Sequence, residues 1–161
     1  MEPICREYSC KIARFQPHLL KTMKRTYILF AVLALFVSSF AFKTQSSELK
    51  ESMKRGKDVY DGSGLCTVCH MPEGKGMTGA FPPLAKSDYL MADLDRSIKI
   101  VIEGLSEEIE VNGTKYNGAM QPSGLDDKDI ADVLNYVRNS WGNKGDKMVT
   151  EAMVAKVRAG K

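Results

Sequence analysis

The sequence predicts an all-α fold of three to five helices with one short β-hairpin. Apolar residues recur at helical spacing in four segments, one stretch alternates around an Asn-Gly pair, and the densest run of glycine and proline falls between these segments. Leu49, Met53, Val59 and Tyr60 mark a first helix over about 47–60, halted by the turn cluster Asp61-Gly62-Ser63-Gly64. Residues 73–83 hold three glycines and two prolines and read as loop. Leu94, Ile98, Val101 and Ile102 then share a helix face that Gly104 ends. Ile109 to Tyr116 reads as a hairpin turning at Asn112-Gly113. Asp126 is the N-cap of a helix carrying Ile130, Val133, Leu134 and Val137, which ends near Trp141-Gly142. Gly142 to Asp146 reads as a linker, after which Thr150 caps a short helix with Val154 and Val157 on one face.

At 161 residues the chain has room for one domain and a processing segment. Residues 1–41 hold six basic and two acidic side chains, leaving 17 basic against 18 acidic in the rest, so the overall net charge of +3 belongs to the leader. A domain this close to neutral has no concentrated basic face for nucleic acid. From Met23, a basic start (Lys24, Arg25), an apolar run from Tyr27 to Val37 and the small-residue site Ser39-Phe40-Ala41 have the layout of a secretory signal peptide. The expected organisation is therefore an upstream extension or mis-assigned start over 1–22, a signal peptide over 23–41, a functional domain over 42–143 and a C-terminal extension over 144–161. Export to the periplasm or the outer face of the inner membrane follows. A membrane association arises only if the leader is kept as an anchor, for which its apolar run is short.

Cleavage after Ala41 removes Cys5, Cys10 and His18 and leaves Cys66, Cys69 and His70 as the remaining cysteines and histidine. They are adjacent, in Cys66-Thr67-Val68-Cys69-His70, and C-x-x-C-H reads as a c-type haem attachment site. Two thiols on one helical turn can each add across a haem vinyl group, and the next residue offers its imidazole to the iron. Competing readings are weaker. A Cys66–Cys69 disulfide closes a tiny loop, a thioredoxin-like pair needs a βαβ setting, and a zinc site wants four ligands.

An iron held by one histidine has a sixth position, and methionine is the remaining soft ligand. Met71 and Met77 lie too close to the motif to reach round, while Met148 and Met153 fall in or beside a helical pattern and suit packing. Met91 is a further candidate. Met120 sits in Asn117-Gly118-Ala119-Met120-Gln121-Pro122, a loop in which Gly118 permits close backbone approach and Pro122 stiffens the exit. It is the candidate ligand, against the bland alternative of a gap-filling core residue.

On the helix with Gly56 and Tyr60, the Cys66–His70 motif, Phe81-Pro82-Pro83-Leu84, the Met120 loop and the helix with Val133 and Tyr136, the stretch from about Met53 to Asn143 resembles class I cytochromes c. From Phe81 to Gly142 it is similar to small cytochrome domains found alone or fused to copper nitrite reductases and periplasmic dehydrogenases. The resemblance implies a cytochrome c fold around one covalently bound haem, with the Gly56 helix crossing the Tyr136 helix and the Pro82 carbonyl accepting the proton on the outer nitrogen of His70. It also implies a monohaem electron carrier rather than an enzyme, exchanging single electrons transiently with a reductase, oxidase or dehydrogenase. Lys75, Lys86 and the acidic run Glu107-Glu108-Ile109-Glu110 are candidates to steer partners. Two alternatives stay open: a haem peroxidase or gas sensor with a labile sixth ligand, and a thiol-disulfide protein using Cys66 and Cys69.

Overall fold

The structure, a computed structural model, describes residues 46–160. The expectations for 1–22 and 23–41, with Cys5, Cys10 and His18, lie outside the described residues. Within them, helix α1 spans residues 46–61, α2 Cys66–His70, α3 Asp88–Ala92, α4 Leu94–Glu103, α5 Asp127–Arg138 and α6 Glu151–Ala159. Strands β1 (Ile109–Val111) and β2 (Thr114–Tyr116) pair antiparallel with Ile109 opposite Tyr116 and Val111 opposite Thr114. The four longer helices are those the apolar spacing marks. The two five-residue helices, α2 and α3, are too short to carry a period.

Each longer helix after α1 begins with a side-chain cap that satisfies an orphan amide. Asp93 accepts from Arg96 N, Asp126 from Asp129 N and Thr150 from Met153 N. Gly104, at φ 83°, closes α4. The hairpin turns through Asn112 and Gly113 at φ 51° and 75°, the two left-handed residues a type I′ turn requires. Asp88 and Asn112 exchange backbone-to-side-chain hydrogen bonds of 2.8 and 3.1 Å, which tie this turn to the start of α3.

The core gathers Val59 and Tyr60 of α1, Leu90 of α3, Ile98 and Ile102 of α4, and Ile130, Val133, Leu134 and Val137 of α5. Helix α1 crosses α5 at Gly56, where a Cβ would stand 1.9 Å from the Asp132 carbonyl oxygen. Beside that crossing, Asp132 accepts from Ser52 Oγ (2.6 Å), Arg55 (2.6 and 2.8 Å) and Lys128 (2.8 Å). The rings of Tyr60, Tyr136 and Trp141 meet pairwise with centroids 5.2–5.6 Å apart.

The segment after α5 differs from the sequence reading in two respects. The helix stops at Arg138, before Trp141, which takes a left-handed turn at φ 52° with Gly142. The stretch 142–146, expected as a linker, is instead anchored. Asn143 is buried and donates to the carbonyls of Val137 (2.7 Å) and Leu84 (2.8 Å). Beyond it, Val149 and Val154 join the same core, and Asn135 of α5 bonds both the amide and the carbonyl of Val149 at 2.8 Å. Spacers of small and charged residues look alike in sequence whether or not one side chain finds buried carbonyls. Among the described residues no helix is long and apolar enough to cross a membrane.

Candidate haem site

A cavity of about 420 Å³ opens between α2, the 80–84 loop, α3, α4, the hairpin and α5. Its size suits a cofactor, and among the described residues none that lines it is Asp, Glu, Lys or Arg. Cys66, Cys69, His70, Pro82 and Met120, separated by up to 54 positions in sequence, all line it.

Helix α2 presents three of these on one turn. Cys66, Cys69 and His70 stand at i, i+3 and i+4, the spacings that share a helix face. The helix is held between two left-handed non-glycine residues, Leu65 (φ 51°) and Met71 (φ 64°), a costly conformation that tertiary contacts must maintain. One such contact is the Tyr60 hydroxyl, which donates to the Met71 carbonyl at 2.8 Å.

His70 Nδ1 lies 3.0 Å from the Pro82 carbonyl oxygen. A carbonyl can only accept, so Nδ1 carries the proton and the Nε2 lone pair is left for a metal. Burial lowers the imidazole's affinity for a second proton, and the Pro82 bond opposes this only in part, so the ring is held neutral, the form that binds metals. Burial also pushes the Cys66 thiol up to about 11. That is the opposite of the depressed value an attacking thiolate needs, and it disfavours Cys66 as the attacking thiol of a thiol-disulfide protein.

Met120 is positioned by its backbone. Its amide donates to Leu105 O at 2.7 Å and its carbonyl accepts from Leu105 N at 2.9 Å. Of the methionines after the motif, Met120 is the one that lines the cavity; Met77 is exposed, and Met91 and Met153 pack against the core.

The sequence reading missed Leu105 and a second role of Gly104. Gly104 ends α4, but a Cβ there would also stand 2.4 Å from the Met120 carbonyl oxygen, so it lets the Met120 loop approach. Its position just after a helix explains it fully, which hid the second role. Gly118, expected to permit close backbone approach, lines the cavity and also sits against the Ala80 carbonyl, 2.9 Å from where a Cβ would lie. Lys75 and Lys86 do not line the cavity, and the Lys86 stem packs over Gly142. In the acidic run, Glu108 pairs with Lys115 at 2.7 Å.

The donor set fits haem c: two thiols facing an apolar cavity, a neutral imidazole with its free nitrogen available, and a thioether. The cytochrome c family model matches residues 53–141. The chain is 42% identical over 105 residues to cytochrome c-552 of Thermus thermophilus, a match covering 60% of this chain and 80% of that protein. It is 32% identical over 117 residues to the cytochrome c subunit of the alcohol dehydrogenase (quinone) of Gluconacetobacter polyoxogenes, covering 64% of this chain and 22% of that subunit. To the gluconate 2-dehydrogenase cytochrome c subunit of Pantoea cypripedii it is 29% identical over 123 residues, covering 71% of this chain and 28% of that subunit. Fold, cavity, donor set and these matches agree that the chain belongs to the cytochrome c family, as a monohaem class I c-type cytochrome with one covalently attached haem c.

Proposed function

We propose that this protein is an exported carrier of single electrons between redox proteins of a respiratory or dehydrogenase chain, with His70 and Met120 as the two iron ligands. One observation carries the ligand assignment: among the described residues, Cys66, Cys69 and His70 share their cavity with a single methionine, Met120. The haem, joined to Cys66 and Cys69 by thioether bonds, supplies a one-electron Fe(III)/Fe(II) couple. The chain's own residues do the rest. Pro82 orients the His70 ring, Leu105 holds Met120 in place, and apolar walls keep water from the site. With His70 and Met120 both holding the iron, no coordination position would remain for a substrate, which supports a carrier rather than an enzyme.

Leu65, which also lines the cavity, and Val68 lie next to the attachment cysteines and are 67% and 68% exposed. Apolar side chains beside the attachment turn suit a small, transient interface that brings a partner close to the haem edge. The dehydrogenase relatives support a dehydrogenase as one such partner, and the leader pattern supports export, with membrane association only if that leader is kept.

Mass spectrometry of the exported protein tests the reading. The expected result is an N-terminus at Phe42 and the added mass of one haem; a mass matching the bare chain refutes it. An absorption band near the red end of the visible spectrum, from sulfur on ferric iron, is expected with it. Its absence favours a peroxidase or gas sensor.

A further inference from the structure

Arg96 of α4 and Arg138 of α5 converge on one wall of the cavity. Arg96 Nη2 donates to the Tyr89 carbonyl at 2.5 Å and Arg138 Nη1 to the Leu90 carbonyl at 2.9 Å, so two guanidinium groups hold consecutive carbonyls of α3. Arg96 also stacks on the Tyr89 ring, its Cζ 3.7 Å from the centroid. Tyr89 and Leu90 both line the cavity, as does Val137 beside Arg138. In each arginine Nε is buried without a partner among the described residues.

These charges are poorly compensated. The Arg138 side chain is 2% exposed, and its carboxylate partner, Asp146 at 3.3 Å, is 88% exposed and therefore screened by water. Among the described residues no carboxylate stands within ion-pair distance of Arg96. Each side chain brings a guanidinium charge to this wall. Clamping two carbonyls needs only N–H donors, which a neutral amide also has, and burying an ill-paired charge, as at Arg138, is costly. The clamp alone therefore leaves the charge unexplained.

We propose that Arg96 and Arg138 set the reduction potential, their charges behind the Tyr89–Leu90 wall holding it high. This deepens the haem-carrier reading above and rests on it. Reduction brings one electron from the donor protein and lowers the charge of the site by one, with no bond made or broken. A fixed positive charge nearby opposes the more positive, oxidised state and so favours the reduced one. Acting through a buried wall, it is screened little by salt.

The test is a redox titration, followed by absorption, of the haem-loaded parent and of Arg138→Gln, Arg138→Lys, Arg96→Gln and Arg96→Lys. Each Gln variant is expected to move the one-electron equilibrium roughly tenfold toward the oxidised state, a fall of about 59 mV, while each Lys variant keeps most of the parent potential. Equal shifts in the Gln and Lys variants of one residue would reduce it to a clamp, and Gln variants at the parent potential would refute the charge effect; either overturns the proposal. Should Arg138→Gln not retain haem, the less buried Arg96 pair decides by the same criteria. A parent lacking covalent haem refutes the function reading, whereas a haem-loaded parent with flat variants refutes only this one.

Discussion

Gly56 of α1 lies directly against the Asp132 carbonyl of α5, leaving no room for a side chain at the helix crossing. Exchanging an exposed helical glycine for alanine gains roughly 1 kcal/mol from propensity alone. Here the sign reverses, because the obstacle at 1.9 Å is backbone, with the Tyr136 Cβ at 2.9 Å behind it, and one helix must move. Gly56→Ala is expected to destabilise the holoprotein by about 1–3 kcal/mol, overpacking of the usual kind. Denaturant unfolding checks this: the midpoint should fall at constant slope.

Asp132 makes the same crossing sensitive to acid. Burial raises its proton affinity, but hydrogen bonds from Arg55, Lys128 and Ser52 together outweigh burial and hold the carboxyl below its ordinary value. A carboxylate depressed in the native state contributes stability that is present above the unfolded pKa, about 3.9, and is lost as pH falls through the native value. Thermal melts should therefore show a loss below about pH 4 that Asp132→Asn lacks. Arg55 and Lys128 are half-exposed and rehydrate, so that variant should cost only about 1.5 kcal/mol at neutral pH.

Removing the Met120 side chain leaves its two backbone bonds to Leu105 intact, which isolates the sulfur from the loop. Met120→Ala is expected to turn the spectrum high-spin and lower the reduction potential, since sulfur ligation favours the reduced iron. An unchanged spectrum would rule Met120 out as a ligand.

Loss of the haem should reach the whole domain. The cavity of about 420 Å³ is walled by residues from α1 to α5, so without the group these elements lose a shared packing partner. Cys66→Ser/Cys69→Ser is expected to keep helical far-ultraviolet dichroism but lose near-ultraviolet signal and a sharp melt. A cooperative transition close to that of the haem-loaded protein would show that the helices pack without it.

Much of this protein was readable along the chain because its signals are local. The attachment motif spans five adjacent residues, the caps at Asp126 and Thr150 lie beside the helices they start, and Asn112-Gly113 demands its turn through backbone sterics alone. The candidate set of Cys66, Cys69, His70, Pro82 and Met120 was likewise named from sequence and family likeness. What needed the folded chain were the relationships between distant groups. Gly104 against the Met120 carbonyl, Asn143 on two buried carbonyls, Asn135 on Val149, and two arginines on consecutive carbonyls of α3 leave no periodic or spaced mark. Periodicity records which face of an element is apolar, because water acts on every residue of that face. A single buried donor finding a carbonyl tens of residues away depends on how the elements cross, and that is set only when the core closes.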